Sequence, residues 1–478
     1  PGRQPREGGA VTLAWLIPVL NWSIRLWALW HVPRRRSPSA ARAWLLLILV
    51  APVVGISLYA IFGRAYLPAK RLSRQERADA FVRQARLEDG LGPGERVAEE
   101  RRATAELVNR LGNFPVVGGN AVDLIDGYEE FVDRLVADVD GARESVELLF
   151  YIFEPDATGR RVADAVKRAA ARGVTCRVMM DGMASAPGLK RLGPGLREAG
   201  VEVISLLSPG TRRARRDLRN HRKIAVVDGV VGYTGSQNVV DAYDYKGRGL
   251  TNEELMVRVR GPVVRQLHAV LLTDRYLETG KGLDEGARLP VPERAGTVLA
   301  QALPSGPTYD VENNERSFVQ MLYGARKRIV VTSPYFVPDR PFVDAMQAAA
   351  IRGLDVHLVT PAAADQWLVR LAQESYYGEL LAAGVKIHLY EPRFLHAKHV
   401  SVDDDACAIG SSNLDMRSFT LNEEVMLFFY DREVSAALAR VQERTFRHSR
   451  LLDGDTWKRQ PPLRRAAQRL ARLVDSVL

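Results

Sequence analysis

The sequence predicts an α/β protein: two duplicated sheet domains with flanking helices, preceded by an N-terminal hydrophobic helical segment that enters a membrane. Three observations carry this expectation. Residues 220–228 read Asn-His-Arg-Lys-Ile-Ala-Val-Val-Asp and residues 395–403 read Leu-His-Ala-Lys-His-Val-Ser-Val-Asp. His221, Lys223, Asp228, Gly235, Ser236 and Asn238 stand at the same mutual offsets as His396, Lys398, Asp403, Gly410, Ser411 and Asn413. Apolar periodicity does not generate such a match; internal duplication does. Before each motif, apolar runs of strand length alternate with helical patterns that stop at glycine, the order of a sheet with helices on both faces. Near the start, residues 43–62 form a twenty-residue stretch without a charge between Arg42 and Arg64, long enough to cross a bilayer.

The elements follow in order. Residues 11–30 make a weaker hydrophobic span, interrupted by Asn21 and Arg25, with Trp15, Trp22, Trp27 and Trp30 suited to a membrane interface. No small-residue cleavage pattern follows, so it does not read as a signal peptide. Basic residues flank the second span on both sides, with Arg34, Arg35, Arg36 and Arg42 before it and Arg64, Lys70, Arg71, Arg74 and Arg77 after it. The orientation signal nearly cancels. Residues 1–65 are therefore expected to form a membrane hairpin or anchoring helices, and 66–110 a solvated helical linker. Residues 111–290 and 291–478 form the two repeated domains. Strands are expected at 145–153, 174–180, 201–207 and 223–227, and again at 329–332, 356–360 and 385–390. Helices are expected at 160–172, 341–352 and 375–383. The Pro- and Gly-containing stretch 280–306 reads as the connection between the halves.

Composition narrows the chemistry. The net charge of +10 favours an anionic partner. Cys176 and Cys407 lie far apart in apolar strand-like runs, which excludes a disulfide framework and a cysteine-based zinc site. Two motif copies packed face to face would bring two imidazoles and two ammonium groups to one pocket. That set suits a phosphodiester, with one neutral imidazole attacking phosphorus and the other, protonated, serving the leaving alkoxide. Lys223 and Lys398, with Asn238, Asn413, Ser236 and Ser411, would neutralise the phosphate oxygens. No metal or other cofactor is required. Glu254 and Glu424, in matching Asn-Glu-Glu contexts, are candidates to orient the imidazoles. Asp228 and Asp403 belong to the motif, yet they begin turn-like segments and suit a structural role. His31, His268, His357, His388, His399 and His448 lack the motif context. The basic run Arg212, Arg213, Arg215, Arg216 and Arg219 is either a solvated loop or a collector of acidic head groups.

The paired His-X-Lys-X4-Asp motifs with trailing Gly-Ser-X-Asn resemble the phospholipase D superfamily. The hydrophobic pair and the stretches 235–241, 255–264, 333–339, 375–385 and 411–424 make the chain look like a bacterial cardiolipin synthase over nearly its whole length. His399 stands where that family often has a small polar residue or threonine. The resemblance implies that two phosphatidylglycerol molecules become cardiolipin and glycerol through a phosphatidyl-histidine intermediate. By motif match, His221 and His396 are the nucleophile–acid pair, with the nucleophile carried onto His221. Lys223 and Lys398 bind phosphate, and Glu254 and Glu424 orient the rings. The alternatives are a hydrolase of the same superfamily, another phosphatidyltransferase, and a non-catalytic lipid-binding protein. Expected partners are anionic phospholipid and the bacterial cell membrane, with the cytoplasmic side favoured and nucleic acid not expected. A homo-oligomer is compatible with the sequence. Leu463, Ala467, Leu470, Val474 and Val477 give the C-terminus an amphipathic helical pattern, suited equally to docking on the protein or on a membrane.

Overall fold

A computed structural model describes residues 8–34, 38–63, 67–84, 91–92, 94–208, 217–243, 249–283, 289–309 and 311–473. Arg212, Arg213, Arg215, Arg216, Val474 and Val477 lie outside the described residues.

Twenty strands occur among them. The first nine are β1 (Val117–Ile125), β2 (Ser145–Phe150), β3 (Thr175–Asp181), β4 (Glu202–Leu206), β5 (Arg219–Asn220), β6 (Lys223–Val227), β7 (Val231–Gly235), β8 (Asn252–Glu253) and β9 (Met256–Arg260). Then come β10 (Val298–Ser305), β11 (Arg328–Thr332), β12 (Phe336–Val337), β13 (Asp355–Pro361), β14 (Lys386–Tyr390) and β15 (Phe394–Leu395). The last are β16 (His399–Val402), β17 (Ala406–Gly410), β18 (Leu414–Asp415), β19 (Asn422–Phe429) and β20 (Ser449–Leu451). One sheet runs β20-β14-β13-β11-β16-β17-β19-β10-β1-β9-β7-β6-β2-β3-β4. Outward from the β10–β1 seam, one side reads β10-β19-β17-β16-β11-β13-β14 and the other β1-β9-β7-β6-β2-β3-β4. Both sides repeat one strand order, so the duplication extends through the whole sheet.

Period-two alternation explains how each strand is held. In β2, Val146, Leu148 and Phe150 pack with the helices Tyr128–Gly141 and Ala157–Ala171. Leu149 points the other way, into a cluster containing Leu267 and Leu271 of the helix Val263–Thr279. That second cluster also holds Val330, Cys407, Ile409 and Leu427. The halves therefore share a core as well as a sheet. Cys176 and Cys407 are buried free thiols, as expected.

Three expectations change. The stretch 280–306 is not all connection, because Val298–Ser305 is the fully buried strand β10 at the sheet centre. Pro304 disguised it, but that residue lies near the strand's end, opposite Val425. The stretch 66–110 is not a solvated arm. It forms the helices Ala69–Gln84 and Glu99–Gly112, which bury Arg71, Gln75, Ala78 and Val82, and Arg101, Thr104 and Val108. Their arginines pair with acids of the globular part, Arg71 with Glu278 and Glu423, and Arg101 with Asp403 and Asp405.

Finally, residues 43–62 are not one helix. The helices Pro38–Val50 and Pro52–Phe62 meet at Ala51, whose ψ of 78° is non-helical, as a residue before proline prefers. At 1.5 Å per residue each is about 16–20 Å long, short of the ~30 Å hydrocarbon core. Among the described residues, no helix is long and apolar enough to cross a membrane. The break frees carbonyl groups, and Arg25 of the helix Gly8–His31 donates to one of them, Leu49 O, at 3.1 Å. Ala28, Trp44, Ile48 and Tyr59 join the three helices in a small core of their own.

Candidate active site

Each motif histidine lies just before its strand, His221 ahead of β6 and His396 before β16. What fixes them comes from the opposite half. β5 pairs in parallel with β19 and β15 with β8. His221 N donates to Glu423 O at 2.9 Å, and His396 N to Glu253 O at 2.7 Å. The residue after each of these acceptors is the candidate glutamate, Glu424 on β19 and Glu254 just past β8, and the pairing is crossed. His221 Nδ1 meets both Glu424 carboxylate oxygens at 2.9 and 3.0 Å, and His396 Nδ1 meets both Glu254 oxygens at 2.8 Å. A carboxylate at Nδ1 holds the proton there and leaves Nε2 for chemistry.

Both rings line one cavity of 510 Å³ with Asn238, Asn413, Tyr151, Tyr335, Arg219 and Arg417. Lys223 and Lys398 are buried beside it, each donating to its own histidine's carbonyl oxygen at 2.5 Å. Burial, opposed by Glu424 and reinforced by Lys398, brings the Lys223 ammonium down to about 7. Burial likewise brings Lys398 to about 8, against the pull of Glu254 and Glu424. Burial and then the two lysines hold His221 well below the usual imidazole value. His396 is also lowered by burial, but Glu254 works to restore it. The carboxylates diverge. Burial pushes Glu424 up to about 7, whereas His396 and Lys398 overcome burial at Glu254 and bring it to about 2.

The remaining expected residues separate into two groups. Asn238 Oδ1 accepts from Ile152 N at 3.1 Å, leaving the amide nitrogen as a donor for a ligand. In the second half Gln373 takes the matching Phe336 N–H, and Asn413 Oδ1 has no partner among the described residues. Ser236 and Ser411 do not face the cavity, contrary to expectation. Ser411 Oγ donates to Glu424 at 2.5 Å and accepts from Val425 N at 3.0 Å, and Ser236 Oγ accepts from Leu255 N at 2.9 Å. These hydroxyls brace the strands that carry the glutamates.

Asp228 and Asp403 are also placed elsewhere, at the far ends of β6 and β16. About seven residues at ~3.3 Å each separate them from the histidines. Both adopt left-handed φ, 52° and 56°. The Asp228 carboxylate accepts from the backbone N–H groups of Arg143, Glu144 and Ser145, and Asp403 from those of Arg326, Lys327 and Arg328. Each ties its turn to the start of the neighbouring strand, β2 or β11, which is a structural role.

Tyr151 is an addition. Its ring meets His221 edge-on at 4.7 Å, with the Lys223 ammonium 5.3 Å from its centre. The signal in the sequence for both tyrosines is a smaller echo of the duplication, Tyr151-Ile152-Phe153-Glu154-Pro155-Asp156 against Tyr335-Phe336-Val337-Pro338-Asp339. Arg417 carried no such signal. His399 lies outside this cavity; it lines a second one of 260 Å³ behind Glu254, and burial pushes its imidazole down to about 3.

Two His-X-Lys motifs facing one cavity across a duplicated α/β sheet define a phospholipase D-like protein. Comparison with known proteins agrees. Residues 135–274 and 318–446 match the family described as cardiolipin synthase, PLD-like domain, and residues 24–64 match the phospholipase D-nuclease N-terminal family. The chain is 36% identical over 453 residues to cardiolipin synthase A of Yersinia pseudotuberculosis serotype O:1b (strain IP 31758), covering 91% of this chain and 92% of that protein. Cardiolipin synthase A of Yersinia pestis matches to the same extent. Phosphatidylserine synthase of Haemophilus influenzae Rd KW20 shares the fold at a TM-score of 0.58 and 14% identity, over 78% of this chain and all of that one. The chain belongs to the cardiolipin synthase family of phospholipase D-like proteins.

Proposed function

We propose that this chain is a phosphatidyltransferase that converts two phosphatidylglycerol molecules into cardiolipin and glycerol. The observation that carries the reading is the crossed arrangement at the cavity, where each half's glutamate presents the other half's histidine. In the first step Nε2 of His221 attacks phosphorus, a P–N bond forms and the P–O bond to glycerol breaks. His396 gives its Nε2 proton to the departing alkoxide. In the second step His396 takes the proton from a headgroup hydroxyl of another phosphatidylglycerol, whose oxygen displaces His221. Lys223, Lys398 and Asn238 stabilise the phosphate oxygens throughout. The partnerless Asn413 Oδ1 is suited to receive a hydroxyl donor. The assignment of roles rests on the fields: His221 is held more firmly neutral, and the ionised Glu254 favours a proton on His396.

The N-terminal helices support a membrane setting. Trp15, Leu16, Ile17, Leu20, Trp22 and Leu26 are all exposed, more apolar surface than a water-facing helix carries. We place this three-helix bundle in the bilayer, with the broken segment 38–62 entering it as two short helices.

The test is to incubate the full chain in lipid with phosphatidylglycerol, and separately with phosphatidylethanolamine, and to analyse the products. Cardiolipin with released glycerol supports the proposal; phosphatidic acid alone makes the chain a hydrolase, and no turnover ends the catalytic reading. His221→Ala and His396→Ala should each reduce turnover at least ~10³-fold with an unchanged melting temperature. Near-full activity in either variant is incompatible with a two-histidine mechanism.

A further inference from the structure

The C-terminal helix Pro462–Arg472 sits on the helix Trp367–Ala383 by its polar side. Arg464 donates to Glu374 at 2.7 and 3.2 Å, Gln468 to Glu374 at 3.0 Å, and Arg472 to Glu379 at 2.6 Å. The Arg472 guanidinium also lies 4.4 Å from the Tyr376 ring centre. A helix on a globular surface ordinarily turns its apolar stripe inward. Here the order is reversed. At 100° per residue, positions 464, 468, 471 and 472 share the docked side, while Leu463, Ala466 and Leu470 share the other with Leu473. Leu463, Leu470 and Leu473 are 86%, 66% and 58% exposed. Arg465 and Arg469 border that ridge, both exposed and in no ion pair among the described residues.

The ridge has a definite relation to the cavity. Arg464 meets Glu374 and Arg472 meets Glu379, so the two helices run in the same direction and the Leu463 end lies toward Trp367. Trp367 is 73% exposed, and its neighbours Asp365, Gln366 and Val369 line the catalytic cavity.

We propose that this outward face is a membrane foot. The leucines lie at the headgroup–acyl boundary of an anionic bilayer, Arg465 and Arg469 sit among lipid phosphates, and Trp367 marks the edge where the cavity opens toward the lipid. The arginines select this occupant. They complement an anionic surface, whereas a second copy of the chain, at a net charge of +10, would meet like charge with like. The inference rests on the lipid reading of the site and deepens it, by naming how the cavity is presented to its substrate.

The experiment uses the full chain with Leu470→Cys, labelled with an environment-sensitive fluorophore; Cys176 and Cys407 are buried and stay unlabelled. The protein is reconstituted into vesicles of phosphatidylglycerol and phosphatidylcholine, with and without lipids carrying a quencher high on the acyl chain. Insertion about 5–10 Å deep predicts at least ~2-fold quenching by that lipid and protection from aqueous iodide. Arg465→Glu with Arg469→Glu should reverse most of both effects. Full iodide access without lipid quenching overturns the proposal, and so does protection from both quenchers, which would mean a protein contact. The readout needs no turnover. A chain that inserts its foot but makes no cardiolipin therefore counts against the proposed reaction, and an active chain with a wet label counts against the foot.

Discussion

Glu254 and Glu424 occupy equivalent positions in different fields, and the difference predicts unequal mutants. Glu254, near 2, is a full anion that favours an imidazolium at His396, whereas Glu424, near 7, is already half neutral at physiological pH. Glu254→Gln should therefore lower kcat by ~10²–10⁴-fold, as when the carboxylate behind a catalytic imidazole is lost. Glu424→Gln should cost about tenfold or less, because the amide replaces a group that is already about half neutral and hydrogen-bonds in either form. Equal losses in steady-state kinetics would contradict the asymmetry. The lysines share the alkaline limb with His396. Lys223 and Lys398 are lowered to about 7 and about 8, so their ammonium forms are present below those values and lost as pH rises through them. A profile of kcat/KM, which reports the free enzyme, should begin to fall below the ordinary imidazole value as the lowered His396 gives up its proton, and should fall more steeply between about pH 7 and 8. The profile of kcat should fall at higher pH, since a bound phosphodiester anion stabilises the ammonium. Both histidines are lowered, so the neutral nucleophile persists on acidification until below the ordinary imidazole value. Much of this chemistry was legible in the sequence, because the motif residues recur at fixed offsets. The crossing of glutamate and histidine was not, since spacing along the chain says nothing about which half lends which strand.

Among the elements, the motif's glycines and aspartates serve architecture. A Cβ at Gly235 would stand 2.4 Å from Leu255 O, and one at Gly410 2.2 Å from Val425 O. Any other residue would push away the strand that carries the facing glutamate. Asp228 and Asp403 clamp turns instead of touching the cavity, so Asp228→Ala and Asp403→Ala should cost about 2–4 kcal/mol of stability by stranding backbone donors. The correctly folded fraction of either variant should keep kcat within about threefold, checked by chemical denaturation beside an active-fraction assay. A 10³-fold loss without destabilisation would return them to the catalytic set. Spacing placed these residues in the motif and their turn-like context pointed to a structural role; the left-handed φ and the three backbone donors supply the contacts that perform it. Helix Ala69–Gln84 was misread for a related reason. Its charge suggests solvent, but Arg71 reaches Glu423 in a network where Arg222 bonds Asp274, Glu423 at 3.2 Å and Glu424 O at 2.9 Å. Buried ion pairs of this kind look hydrophilic in composition and behave as core, and breaking one strands the partner charge.

At the scale of the whole molecule, the site belongs to neither half alone. His221 lies in the first half and its glutamate in the second, and the reverse holds for His396. The strand β10 pairs with β1 through Val117↔Ala300 and with β19 from Ala300↔Phe429 to Ser305↔Glu424, so the seam ends on the residue that presents His221. The central apolar cluster draws Ile224 and Leu267 from one half and Ile409 and Leu427 from the other. Hydrophobic burial at that joint does not depend on chain continuity, which yields a test of the architecture. A protease site inserted after the exposed Lys281 should allow cleavage of the folded protein into two pieces that stay together through gel filtration. The nicked protein should retain most of its turnover, because loop connection contributes only a weakly length-dependent entropy while every strand pairing remains. Either piece produced alone should have none, since each would hold a histidine without its glutamate and an exposed strand edge. Mixing the two pieces during refolding should restore activity. Turnover by one isolated piece would mean that a single motif suffices, and dissociation on cleavage would mean that the shared sheet and core do not hold the site together.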